Sequence, residues 1–249
     1  MQPRSSTLFH FTKSEDILFD ILLNGFWPRY CLEDIEWQIE RSDFIAFPMV
    51  CFCDIPLARI SEHIKFYGSF GVGLTKEWAV KNNLNPILYL SGSSELSNSI
   101  KRNFKYVLSH QTDDDGEKES EKAMEDSRYL IANAKPTKGF MRSSGDRVEK
   151  EFYQESEWRY VPAHDEINNY FLEETFTNSE RMVEEHKKTK EFASLKFLPS
   201  DVAYIFVPKD SDIPSVINFI QNKLDHYPGA DLKVLYSRVF SLESLSRDL

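Results

Sequence analysis

Cysteine is scarce in this chain. Cys31, Cys51 and Cys53 are the only three among 249 residues. An odd number builds no disulfide framework, and no zinc site follows without further ligands at suitable spacing. Cys51 and Cys53 point to the same face of an extended strand and read as small buried hydrophobes. Long apolar runs are missing too. No stretch approaches the roughly 18 apolar residues of a membrane span, and the opening MQPRSSTLFHF lacks the apolar core of a signal peptide. The expectation is a protein of the reducing cytoplasm with no membrane contact. Positive charge is in deficit, with 30 Lys and Arg against 40 Asp and Glu and a net charge of −10. General duplex binding needs a basic surface and is disfavoured on that ground, while a local basic groove stays open. A nucleic acid acting as the acceptor in a reaction is compatible with it.

Aromatic residues, by contrast, are abundant. Hydrophobic residues make up 41% and aromatics 14%, with 19 Phe and 11 Tyr. That is material for the core of one domain spanning 1–249. Thr7–Thr12 reads as a strand, and Ser14 caps a helix that Asn24-Gly25 closes. FIAFPMVCFCDIPL, residues 44–57, reads as a buried strand, followed by a short helix at Ile60–Phe66. Phe70–Leu74 is a strand whose glycines permit close approach, then a helix runs over Lys76–Lys81 and a strand over Pro86–Leu90. Residues 91–150 change character. Six acidic side chains lie within 113–121, and helices are expected over 97–110 and 122–134, so the segment reads as a helical and acidic insertion or lid. Strands follow at Glu157–Val161, Val202–Val207 and Lys233–Val239, with helices over 179–193 and 214–225. The class is α+β, a mixed or split antiparallel sheet flanked by helices.

Four features could carry chemistry: His10 with Thr12, the strand ending in Cys53-Asp54, Tyr67 with the following glycines, and Glu155 with Glu157 in QESEWRY. Each also has a structural reading. His10 fits a core histidine, Asp54-Ile-Pro a turn, and Glu157 beside Arg159 a cross-strand ion pair. FGVG is no dinucleotide fingerprint. His63 with Asp54 could form a base and its orienting group, and Asp54, His63 and Glu157 could be drafted as nuclease ligands. No tight Asp/Glu/His cluster supports a metal.

In combination and order, His-x-Thr on a first strand and a late Glu-Trp-Arg-Tyr-Val-Pro resemble the ADP-ribosyltransferases of the diphtheria-toxin-like and DNA-modifying toxin type. The resemblance implies that His10 and Thr12 bind NAD and that Glu157 is the catalytic glutamate, so His10 and Glu157 carry the reaction. The chemistry is coherent with those residue types. A fixed carboxylate stabilises the cationic sugar that forms as nicotinamide leaves. A neutral histidine binds ribose without adding positive charge, Tyr67 stacks on nicotinamide, and Arg159 or Arg29 holds the pyrophosphate. This chain departs from the toxin pattern at Asp54, where that family carries an arginine, which leaves open a transferase-like fold without catalysis. The segments LFHFTKSEDILFDILLNGFWPRY, FPMVCFCDIPLARISEHIKFYGSFGVGLTKEWA and NPILYL resemble the AbiGi family of abortive phage resistance proteins more closely still. That likeness implies phage defence, and a place as the antitoxin-like member of a two-gene system whose partner is encoded by a neighbouring gene. Two functions therefore stand side by side: an NAD-dependent mono-ADP-ribosyltransferase, and a non-catalytic antitoxin or sensor that binds a partner protein.

Overall fold

The computed structural model describes residues 5–38, 44–110, 117–143 and 146–247. Along the chain these form β1 (Thr7–Thr12), α1 (Glu15–Asn24), β2 (Arg29–Asp34), β3 (Phe44–Cys53), α2 (Ile60–Tyr67), β4 (Phe70–Thr75) and α3 (Lys76–Lys81). Then come β5 (Asn85–Pro86), β6 (Leu88–Leu90), α4 (Glu95–Ser109), α5 (Glu117–Ala132), β7 (Ala134–Pro136), β8 (Lys138–Ser143), β9 (Asp146–Glu151) and β10 (Glu157–Tyr160). The remainder is β11 (Phe171–Leu172), α6 (Glu173–Phe176), α7 (Ser179–Phe192), β12 (Val202–Val207), α8 (Ile213–Lys223), α9 (Gly229–Tyr236), β13 (Val239–Ser241) and α10 (Leu242–Leu245). The mixture of antiparallel and parallel pairing with many helices makes the class α+β. The chain divides into two compact units, one of residues 1–26, 51–84 and 195–249, the other of 27–50 and 85–194.

In the first unit β1 lies between β4 and the end of β3, and β12 and then β13 extend the sheet beyond β4. Phe9 faces Gly73 and Phe11 faces Gly71 across the β1–β4 pair. A Cβ at Gly71 would stand 2.7 Å from the Phe11 ring, and one at Gly73 would stand 2.9 Å from the Phe9 ring. The two glycines therefore make room for aromatic rings that lean across the sheet, rather than for a ligand. Phe9 and Phe11 join Cys53, Ile55, Ile60, Phe206 and Leu242 in one core. Ser14 caps α1 by accepting from the Ile17 amide, and Thr75 caps α3 by accepting from Trp78, as the sequence pattern predicts.

In the second unit β2 pairs along β3 from Arg29↔Met49 to Asp34↔Phe44, and β11 pairs with β3 at Phe171↔Ala46. Helix α7 is pinned to β2. The Tyr30 amide donates to His186 Nε2 at 3.1 Å, and the Thr189 hydroxyl donates to the Pro28 carbonyl at 2.6 Å.

The helices expected within 91–150 are present as α4 and α5, and the segment also supplies β7, which pairs parallel with β6, and the β8–β9 hairpin. One expectation is corrected. Lys233–Val239 is not a strand. It is mostly α9, and the last strand is β13, beyond it and parallel to β12. Of the acidic run, Asp113, Asp114 and Asp115 lie outside the described residues, and the rest opens α5.

Candidate functional site

Of the residues the sequence singles out, His10, Thr12 and Tyr67 lie in the first unit, and Glu157 and Arg159 in the second. The part-buried His10 ring packs edge-on against Phe26 at 5.1 Å and against Phe52 at 5.5 Å. Its Nδ1 sits 2.8 Å from the Cys51 carbonyl. A carbonyl only accepts, so Nδ1 carries the hydrogen and Nε2 keeps a lone pair. Burial among these rings lowers the histidine pKa, partly opposed by the Cys51 hydrogen bond, and the ring is neutral at pH 7. Thr12 shares the His10 face of β1 and is buried. Tyr67 stacks on His63 at 4.4 Å, which occupies one face of its ring. Asp54 is paired with Lys76 at 2.6 Å.

Glu157 and Arg159 meet. Arg159 is 1% exposed, and its guanidinium is spent on protein groups. Nε donates to Glu157 at 2.6 Å, Nη1 to the Ala132 carbonyl at 2.6 Å, and Nη2 to Glu33 at 2.7 Å. Glu157, 6% exposed, also accepts from Lys135 Nζ at 3.1 Å, and its backbone amide donates to the Tyr89 hydroxyl at 2.9 Å. Lys135 stands 3.8 Å from Glu155, and Lys150 closes on Glu155 at 2.5 Å. Three carboxylates thus face three cations in a nearly dry cluster built from β2, β7, β9, the turn before β10, and β10. Burial alone would pull the Lys135 pKa down, but Glu157, Glu33 and Glu155 outweigh it and hold it above the ordinary lysine value. Burial, reinforced by Glu33, pushes the nearby Cys31 thiol up to about 12, so it stays protonated and inert. Lys135 also lies 4.2 Å over the Phe152 ring.

Glu155 and Glu157 do not share a strand face as their spacing suggests. Ser156 between them takes a left-handed conformation, φ 45°, and Glu155 ends a turn. Both still reach Lys135. The sequence reading missed Glu33, Lys135 and Lys150, because none stands in a local motif with β10. A buried lysine, at position 135 in a strand flanked by Ala134 and Pro136, is the one signal that could have found them.

The donor set does not favour a pyrophosphate, since Arg159 Nε, Nη1 and Nη2 each donate to protein groups and Glu157 faces Arg159 and Lys135. Among the described residues no group of three His, Cys, Asp or Glu side chains could hold a metal ion, and no helix is long and apolar enough to cross a membrane. Open clefts among the described residues include the following two. One, of about 370 Å³, lies between α5 and residues 161–169 and carries Arg128, Tyr129, His164 and Asp165. The other, of about 290 Å³, lies in the first unit beside Trp78 and Phe197.

Comparison with known proteins assigns the class. Residues 24–208 match the family model described as "Putative abortive phage resistance protein AbiGi, antitoxin", so the chain belongs to the AbiGi family. A curated relative, the abortive phage resistance protein AbiGi of Lactococcus lactis subsp. cremoris, is 29% identical over 253 residues, covering 90% of this chain and 99% of its own length. No solved structure matches.

Proposed function

We propose that this chain serves abortive phage resistance as an antitoxin-type protein, binding and restraining a partner protein rather than turning over NAD. The observation that carries this reading is the commitment of Glu157 and Arg159 to the buried cluster. A catalytic glutamate has to present a carboxylate to the reacting sugar, and both Glu157 oxygens are engaged by Arg159 and Lys135. The family description, antitoxin, supports the same reading, and an antitoxin needs a partner to restrain.

The second reading is the NAD-dependent mono-ADP-ribosyltransferase. One observation favours it: the neutral His10 ring keeps Nε2 as an acceptor that a ribose hydroxyl could use. Calorimetry separates the two. Titrating the purified product of the neighbouring gene into this protein is expected to give saturable heat, and titrating NAD is expected to give none and to release no nicotinamide. Nicotinamide release by the wild type that is lost in Glu157→Gln would reverse the assignment.

A further inference from the structure

We propose that the groove of the first unit, formed by the end of α1, α3 and the Lys196–Leu198 segment, is where the partner docks, and that it takes an apolar anchor with a carboxylate beside it. The inference rests on the antitoxin reading and names its contact surface. The groove measures about 290 Å³. Its floor is aromatic: Trp78, Phe197 and Tyr227 line it. Two large apolar side chains of the lining stand in water, Leu23 at 47% and Leu198 at 58% exposed. Exposed leucines around an aromatic floor are the mark of an interaction surface, because covering them removes apolar area from water.

The charge at the groove is opposite to that of the chain. Lys81 and Lys196 both line it within a molecule of net charge −10. Among the described residues Lys81 makes no ion pair. Lys196 Nζ donates only to the Asn24 carbonyl at the end of α1, a neutral acceptor. The single lining carboxylate, Asp201, accepts from the Leu198 amide at 2.8 Å and caps its own turn. A carboxylate on the partner is what this local surplus attracts, while the acidic remainder of the chain repels it elsewhere.

The walls are already set. Trp78 Nε1 donates to the Lys196 carbonyl at 2.9 Å, and Asn82 Nδ2 donates to the Trp78 carbonyl at 2.8 Å. Phe26 and Leu195 exchange backbone hydrogen bonds of 2.9 and 2.7 Å. Gly25, at φ 76°, allows that approach, since a Cβ there would lie 2.2 Å from the Leu195 oxygen. A preformed groove loses little ordering entropy when it is filled.

The test uses the full chain co-expressed and co-purified with the product of the neighbouring gene. Zero-length carbodiimide coupling followed by mass spectrometry is expected to join Lys81 or Lys196 to an Asp or Glu of that product. Leu23→Asp with Leu198→Asp, and separately Lys81→Glu, are expected to weaken the complex at least tenfold, with circular dichroism unchanged. Tyr129→Asp, on the α5 cleft, is expected to leave the complex intact. Lys81→Glu, an exposed helix position, keeps the test alive if the leucine pair fails to fold. Equal binding by wild type and groove variants overturns the groove and leaves the antitoxin reading standing. No complex with the wild type overturns both. A wild-type homodimer that the groove variants abolish makes the surface a self-association site and overturns the proposal.

Discussion

Arg159 donates from Nε, Nη1 and Nη2 to Glu157, the Ala132 carbonyl and Glu33, which leaves the cluster around it balanced only while every member is present. Removing one partner of a buried ion pair strands the others without solvent. Arg159→Met is therefore expected to cost about 3–5 kcal/mol of stability in urea unfolding, well beyond the effect of Lys187→Met, whose ion pair with Glu184 is exposed. A loss below about 1 kcal/mol, the scale of a surface pair, contradicts a tightly sealed cluster. Glu157 and Arg159 were legible as a pair in the sequence because they stand two residues apart on a strand. Glu33 and Lys135 were not, since only the tertiary fold brings β2 and β7, so distant in the chain, to the same cluster as β10.

Two histidines set an acid limit. Burial lowers the pKa of both His10 and His186 below the ordinary value of 6.5, and the Tyr30 amide needs an unprotonated His186 Nε2 as its acceptor. The unfolded chain takes up protons near pH 6.5 while the folded chain resists them. Stability is therefore complete above that pH and falls as the pH drops below it. The melting temperature is expected to decline between pH 7 and pH 5, and the decline to shrink in His186→Gln, which still offers an acceptor but does not titrate. An unchanged slope in that variant removes His186 from the account.

At the scale of elements, the sequence read well wherever caps and alternation agree, as at β1, α1, β4 and α3. It misread the stretch after Pro228, where Lys233–Val239 is rich in strand-forming residues. Leu232, Leu235 and Tyr236 recur at helical spacing, and Leu235 is the buried one. A strand would instead have required Lys233 and Ser237 to face inward with Leu235, which packing against α8 does not reward. β7 was hidden because it is three residues long, and β8 and β9 because polar and charged residues break the apolar alternation along them. The glycines of β4 give the clearest element-level prediction. Gly71→Ala pushes a methyl group against Phe11 and is expected to cost about 1–3 kcal/mol, the range of overpacking. Phe11→Leu in the same chain is expected to recover part of that loss, because it withdraws the ring edge. No recovery in the double variant means that the strain lies in the backbone.

For the whole molecule, the family description agrees with the antitoxin reading proposed above. No residue pattern in the chain specified a partner, because docking surfaces are assembled from distant segments. The groove beside Trp78 draws on α1, α3, residues 196–201 and Tyr227. Transferase chemistry was suggested by residue order alone, and order does not reveal that a carboxylate is already occupied. The most direct measurement is the growth of cells that express the neighbouring gene product with and without this protein. Growth arrest by that product alone, relieved by wild type and equally by Glu157→Gln, is the expected result. Relief that disappears with Glu157→Gln while the variant stays folded, or arrest caused by this chain itself, contradicts the account.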